Sequence, residues 1–169
     1  MKDDEPDHHA GDLWSAYLDH YRRQIADGVL GLPEAERRRS RLPSGWSPLE
    51  LLSHCVHMEQ RWFVWSFLGE DVGDPWGDWD IDDPWRRRGD GRWQVADDVT
   101  AEALAERLEA TGRRTAEVLA THRPDELARA DQRFDGDPPT LEWICFHVLQ
   151  EYARHAGHLD IVVELASSR

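Results

Sequence analysis

Cysteine is nearly missing from this chain. Only Cys55 and Cys145 occur in 169 residues, far apart, inside apolar-patterned segments and with no C-x-x-C spacing. That excludes a disulfide scaffold, a cysteine-built zinc site and dithiol redox chemistry, and leaves both as small core residues. No stretch approaches the roughly 18 consecutive apolar residues that a membrane span needs. The beginning, Met1-Lys2-Asp3-Asp4-Glu5, is acidic where a secretory signal peptide is basic and then apolar, so the expected location is the cytoplasm. Positive charge is also short: 20 basic side chains face 34 acidic ones, a formal net charge of −14. Affinity for nucleic acid rests on Lys and Arg neutralising phosphates, and attraction to anionic lipid needs the same sign. Neither nucleic acid nor membrane is expected as a partner. Apolar/polar alternation of the kind a half-buried strand shows is absent, and so is any internal repeat.

What is present is an apolar fraction of 40 %, enough for one domain with a core of its own. Residues 1–11, with His8-His9, read as a flexible tail, and 12–169 as a single domain. Leu13, Trp14, Tyr17, Leu18, Tyr21 and Ile25 recur at spacings of three and four, predicting a helix from Asp12 that Gly28 and Gly31 end. Residues 31–46, with Pro33, Arg37-Arg38-Arg39, Pro43 and Gly45, read as a linker. Ser47-Pro48-Leu49-Glu50 matches a capping box with proline in the first turn and starts a second helix, running to about Leu68. Its apolar stripe is Leu51, Cys55, Met58 and Trp62. Thr100 can cap a third helix to about Thr121, with Ala101, Leu104, Leu108, Thr111, Thr115, Val118 and Leu119 inside. Thr140 can cap a fourth that continues to about Ala166. Four amphipathic helices with one long connection describe an all-α four-helix bundle with a crossover between helices two and three.

That connection, 71–98, has no apolar period and mixes breakers, acids and aromatic residues: Trp76, Trp79, Trp85, Arg86-Arg87-Arg88 and Trp93. The favoured reading is that the tryptophans pin a long crossover onto the helices while the arginines offset neighbouring aspartates. A lid over a charged substrate is the alternative.

The chemistry concentrates in the fourth helix. Its core stripe is Ile144, Val148, Glu151, His155, Leu159 and Val162. With Ile144 at zero and 100° per residue, Glu151 falls at about −20° and His155 at about +20°, both near the centre of the face. A carboxylate there must be paired, protonated or bound to a cation. The bland reading is an ion pair within one helix. The sharper one is that these i, i+4 side chains supply two ligands to one metal ion. His147 cannot complete that set, because eight residues of helix, about 12 Å, separate it from His155. On helix two, His54 lies at the edge of the apolar arc, near −60° from Leu51, whereas His57, near −120°, points towards solvent. His54 is therefore the third candidate ligand. His158, near −40° on helix four, is a candidate proton donor or orienting group and can equally be an ordinary half-buried histidine. Two imidazoles and one carboxylate leave coordination positions open, as catalytic zinc sites do. Neither cysteine has the electropositive setting of a reactive thiolate, so an attacking sulfur would come from a small molecule.

The stretches Ser44-Gly45-Trp46-Ser47-Pro48, Leu52-Ser53-His54, Glu59-Gln60-Arg61-Trp62-Phe63 and Glu151-Tyr152-Ala153-Arg154-His155-Ala156-Gly157-His158-Leu159-Asp160-Ile161 resemble the DinB-like superfamily. Within it they are most similar to the actinobacterial branch of mycothiol-dependent enzymes. The resemblance implies an up-down-down-up bundle and a divalent metal held by His54, Glu151 and His155. A glutamate at position 151, where many superfamily members carry histidine, resembles the mycothiol-dependent pattern. Glu142 and the Val163-Glu164 pair depart from it, because that branch commonly has basic residues nearby.

The expected function is therefore transfer of a low-molecular-weight thiol such as mycothiol to a small electrophile, with a divalent metal ion as cofactor. Zinc comes first, and nickel, iron and manganese are alternatives. Two rivals use the same residues: a non-enzymatic metal-binding or stress-related bundle, in which a homodimer is one arrangement, and a metal-dependent hydrolase.

Overall fold

The computed structural model describes residues 12–80, 92–129, 134 and 136–167. The expectations for the 1–11 tail, for Trp85 and for Arg86-Arg87-Arg88 lie outside the described residues. Within them the protein is all-helical. Helix α1 spans Leu13–Leu30, a one-turn α2 spans Glu34–Arg37, and α3 spans Pro48–Glu59 and continues as a π-helical segment over Gln60–Leu68. Helix α4 spans Ala101–Thr121 and α5 spans Leu141–Ser167. No strand forms among the described residues; two isolated bridges, Trp79 with Trp93 and Leu127 with Thr140, tie loops together. None of the described helices is long and apolar enough to cross a membrane.

The helix starts follow from side-chain oxygens that accept the first free N–H groups. Asp12 accepts from the Ser15 amide, Thr100 from Ala103 and Thr140 from Trp143. At α3, Ser47 and Glu50 form the reciprocal capping box. The first linker differs from the sequence reading by the single turn of α2. Its arginines act as clamps: Arg37 donates to the Leu30 and Leu32 carbonyls, and Arg38 to those of Asp97 and Val99.

Helix α1 packs on α5 and α4, and α3 on α4 and α5. Their shared core includes Leu18, Ile25 and Val29, Leu51 and Leu52, Leu104 and Leu108, and Ile144, Val148 and Leu159, all at most 2 % exposed. Burying each such side chain stabilises the fold by about 1.5–3 kcal/mol. Gly28 lies inside α1 rather than ending it. A Cβ there would come within 2.9 Å of Leu159, so its absence lets α5 approach.

One polar group is locked into this core. Glu59 is 0 % exposed. It accepts from Arg22 Nε at 2.8 Å and Nη2 at 2.5 Å, from Tyr152 Oη at 2.5 Å and from Thr115 Oγ1. A buried carboxylate is tolerated only when paired and hydrogen-bonded in this way. The three partners come from α1, α4 and α5 and Glu59 itself from α3, so one side chain joins all the long helices. Gly112 leaves room for it, because a Cβ there would meet the Arg22 guanidinium at 3.0 Å.

Beyond Glu59 the pitch widens. The Gly69 amide bonds back to the Val64 carbonyl, five residues earlier, and Ser66 Oγ donates to the Arg61 carbonyl. The segment thus reaches Leu68 as the sequence implies, but as a π-helix rather than an α-helix. Its inward residues are Arg61, Phe63, Ser66 and Phe67. It stops at Gly69, whose φ of +70° suits a residue without Cβ.

Candidate metal centre

His54 projects from α3, and Glu151 and His155 project one turn apart from α5. Each offers one ligand atom, and these three atoms all lie within 4.8 Å of one another. His54 and His155 are 6 % and 4 % exposed, with ring centroids 4.9 Å apart. The regular α-helices account for this convergence: α3 and α5 pack together, and i, i+4 side chains share a face.

Each group is held by named neighbours. His54 Nδ1 lies 2.7 Å from Asp78 Oδ2, and His155 Nε2 lies 3.2 Å from Glu151 Oε2. Arg154 donates to the same Glu151 oxygen at 2.6 Å. The hydrogen bond from His155, with the nearby Arg154 charge, outweighs partial burial and draws the Glu151 carboxyl down to about 2. Burial lowers His54 to about 4, against the opposing pull of Asp78. Burial would raise the Asp78 carboxyl, but the His54 bond and the Arg61 charge hold it below its ordinary range. At neutral pH the centre therefore presents a carboxylate and a neutral His54 imidazole, the forms in which these groups bind metal.

Among the described residues five buried side-chain nitrogens lack a hydrogen-bond partner: His54 Nε2, His155 Nδ1, Trp79 Nε1, Trp93 Nε1 and His57 Nδ1. The first four belong to rings that meet. Trp93 stacks on His54 at 4.2 Å and stands 5.3 Å from His155, and Trp79 is 6.3 Å from His54. Leaving such atoms without a partner costs about 1–3 kcal/mol each, so their clustering marks a place built for something else to bind. Two imidazoles and a carboxylate suit a zinc-type ion with open positions.

His158 is exposed at the rim, 5.9 Å from the His155 ring and 6.3 Å from Trp46. Burial and the neighbouring His155 lower its pKa. His147 lies elsewhere, stacked on Trp143 at 5.0 Å and against Trp62 at 4.4 Å, as helix length requires. Beside the centre a cavity of about 270 Å³ is lined by Ser44, Trp46, Trp79, Arg92 and Trp93 among others. A larger one of about 730 Å³ runs between α1 and α4 and touches none of the three candidate ligands.

The sequence reading of His57 is corrected. It is 8 % exposed rather than solvent-facing, because the crossover lies over the outer side of α3: a Cβ on Gly77 would sit 3.0 Å from the His57 ring. The tryptophans also divide their roles. Trp76 pins the crossover by stacking on Arg61 at 4.5 Å, whereas Trp79 and Trp93 stand against the histidines. Neither Asp78 nor Arg61 was singled out from the sequence as part of the site. The first sits in a segment without periodicity, and the second is an arginine turned inward to meet it.

The family model described as mycothiol-S-transferase matches residues 13–167. Searches of curated proteins and of solved structures gave no match.

Proposed function

We propose that this chain, which belongs to the mycothiol S-transferase family, transfers a low-molecular-weight thiol of the mycothiol type to a small electrophile at a divalent-metal centre. His54, Glu151 and His155 hold the ion, zinc first, with nickel, iron or manganese able to occupy the same donors. The long helices form an up-down-down-up four-helix bundle that works in the cytoplasm. A bound divalent ion supplies Lewis acidity that keeps a small thiol deprotonated at neutral pH.

The protein's own residues do the rest. Glu151 and the two imidazoles fix the place at which sulfur is held. Trp79 and Trp93 wall it from water on the crossover side. His158, at the rim, relays the proton that the thiol gives up, to the electrophile where sulfur adds across a bond and to solvent where a leaving group such as chloride departs. Cys55 and Cys145 take no part, because burial pushes Cys55 well above the ordinary thiol range and Cys145 to about 12. The nucleophilic sulfur comes from outside the chain.

The single observation that carries this reading is the meeting of the three ligand atoms within 4.8 Å beside unpartnered His54 Nε2 and His155 Nδ1. The test is thiol transfer by zinc-loaded protein, with mycothiol and 1-chloro-2,4-dinitrobenzene as the chromogenic electrophile. Sulfur–carbon bond formation and chloride release above the uncatalysed rate, lost in His155→Ala, is the expected result. No acceleration with mycothiol across several electrophile classes would overturn it.

A further inference from the structure

Asp78 is not among the candidate ligands, yet its side chain is 0 % exposed. A carboxylate that deep needs partners. It has Arg61, whose Nη2 lies 3.2 Å from Oδ2 and whose Nη1 meets Oδ1, and His54, whose Nδ1 is 2.7 Å from Oδ2. His57 Nδ1 stands 4.0 Å from Oδ1.

We infer that Asp78 is a positioning residue for the candidate metal centre, fixing His54 as the Nδ1–H tautomer so that Nε2 presents its lone pair. The inference rests on the metal reading above for its purpose, but its chemistry stands on the hydrogen bond. An ionised carboxylate can only accept, so the proton of a neutral His54 must sit on Nδ1. The other nitrogen, Nε2, is then a buried lone pair with no protein donor near it. A carboxylate behind a ligating histidine sets its tautomer and orientation and raises its basicity as a ligand.

The crossover delivers this carboxylate. Asp78 and its neighbours pair with residues 92–94 of the same connection: the Gln94 amide bonds the Asp78 carbonyl at 3.0 Å, and the Asp80 amide bonds the Arg92 carbonyl at 2.8 Å. Arg61 donates to the Pro75 carbonyl at 2.9 Å while Trp76 lies on its guanidinium. Docking of the crossover and orientation of a helix-borne histidine are thus the same event. The Trp76 stack and the backbone pairing hold the loop without the Asp78 side chain, so a carboxylate that merely helped to pin the loop would leave the His54 tautomer indifferent to its removal.

The experiment uses the full chain, wild type against Asp78→Asn and Asp78→Ala. Nitrogen-15 NMR of metal-free protein at pH 7.5 reads the His54 tautomer, chelator competition reads Zn²⁺ affinity, and far-ultraviolet circular dichroism reads helix content. Wild type should show His54 protonated on Nδ1 alone. Asp78→Ala should lose that single tautomer and bind zinc about 10–100-fold more weakly with helix content kept. Asp78→Asn, whose amide oxygen can still accept, should fall between, and it carries the test if the alanine variant fails to fold. A mixed tautomer in wild type overturns the inference. So does an unchanged tautomer with zinc affinity within twofold in a folded variant. Should wild type bind no zinc at all, the proposed function fails, while the tautomer in the metal-free variants still decides the role of Asp78.

Discussion

Cys55 and Cys145 sit 0 % and 1 % exposed in the core, and burial disfavours the thiolate in both. A thiolate is what reacts with disulfide reagents. Native protein at pH 7.5 should therefore release no thionitrobenzoate from Ellman's reagent over an hour, and two equivalents once unfolded in guanidinium. Fast native labelling would make an internal cysteine eligible as the attacking sulfur. The meeting of the three candidate ligands was legible at this scale for one reason: α3 and α5 are regular where His54, Glu151 and His155 stand, so advancing 100° per residue puts them on faces that converge. The same arithmetic failed for His57. It says which side of a helix faces its neighbours, not what a long connection lays over the other side. Asp78 had no signal, since an aspartate between glycine and tryptophan in an aperiodic segment reads as solvated loop.

At the scale of elements, four long helices are joined at one point by Glu59. Replacing it with alanine leaves the buried Arg22 guanidinium with only the exposed carboxylate of Asp19, and breaking a buried pair in this way costs about 3–5 kcal/mol. Urea unfolding of Glu59→Ala should show that loss. A change below 1 kcal/mol would mean that the network is dispensable. Gly112→Ala should also destabilise, despite the better helix propensity of alanine, because Arg22 is gripped by Glu59 and cannot retreat from the added methyl group. Helix starts were legible because Asp12, Ser47, Thr100 and Thr140 each do what a cap residue does. The switch to π pitch after Glu59 was not. It turns Arg61, Phe63, Ser66 and Phe67 inward, at spacings that a sequence pattern cannot tell from an irregular α-helix. The Glu59 cluster was equally hidden, because its partners Arg22, Thr115 and Tyr152 come from three other helices.

Across the whole molecule, acid is the natural stress on metal-free protein. Burial holds His54 and His57 near 4, against 6.5 for an unperturbed histidine. The unfolded chain takes up both protons as pH falls through about 6.5, whereas the native chain refuses them until about 4. Native stability therefore drops across that window, by about 1.4 kcal/mol per pH unit for each histidine. Glu151, drawn down to about 2 by its bond from His155, contributes stability that is present above its unfolded pKa and lost as pH falls further. The melting temperature of metal-free protein should thus fall steadily between pH 7 and 4, with a shallower slope in His57→Gln. A flat or rising curve would contradict the burial of these two rings. The most direct test of the central claim is metal stoichiometry: elemental analysis of tag-free protein reconstituted with zinc and then desalted, beside His54→Ala and His155→Ala. One equivalent in wild type and none in either variant, with helix content unchanged, is the result the account predicts. Wild type that retains no metal after reconstitution would contradict it and leave Glu151 and His155 as an ion pair within α5.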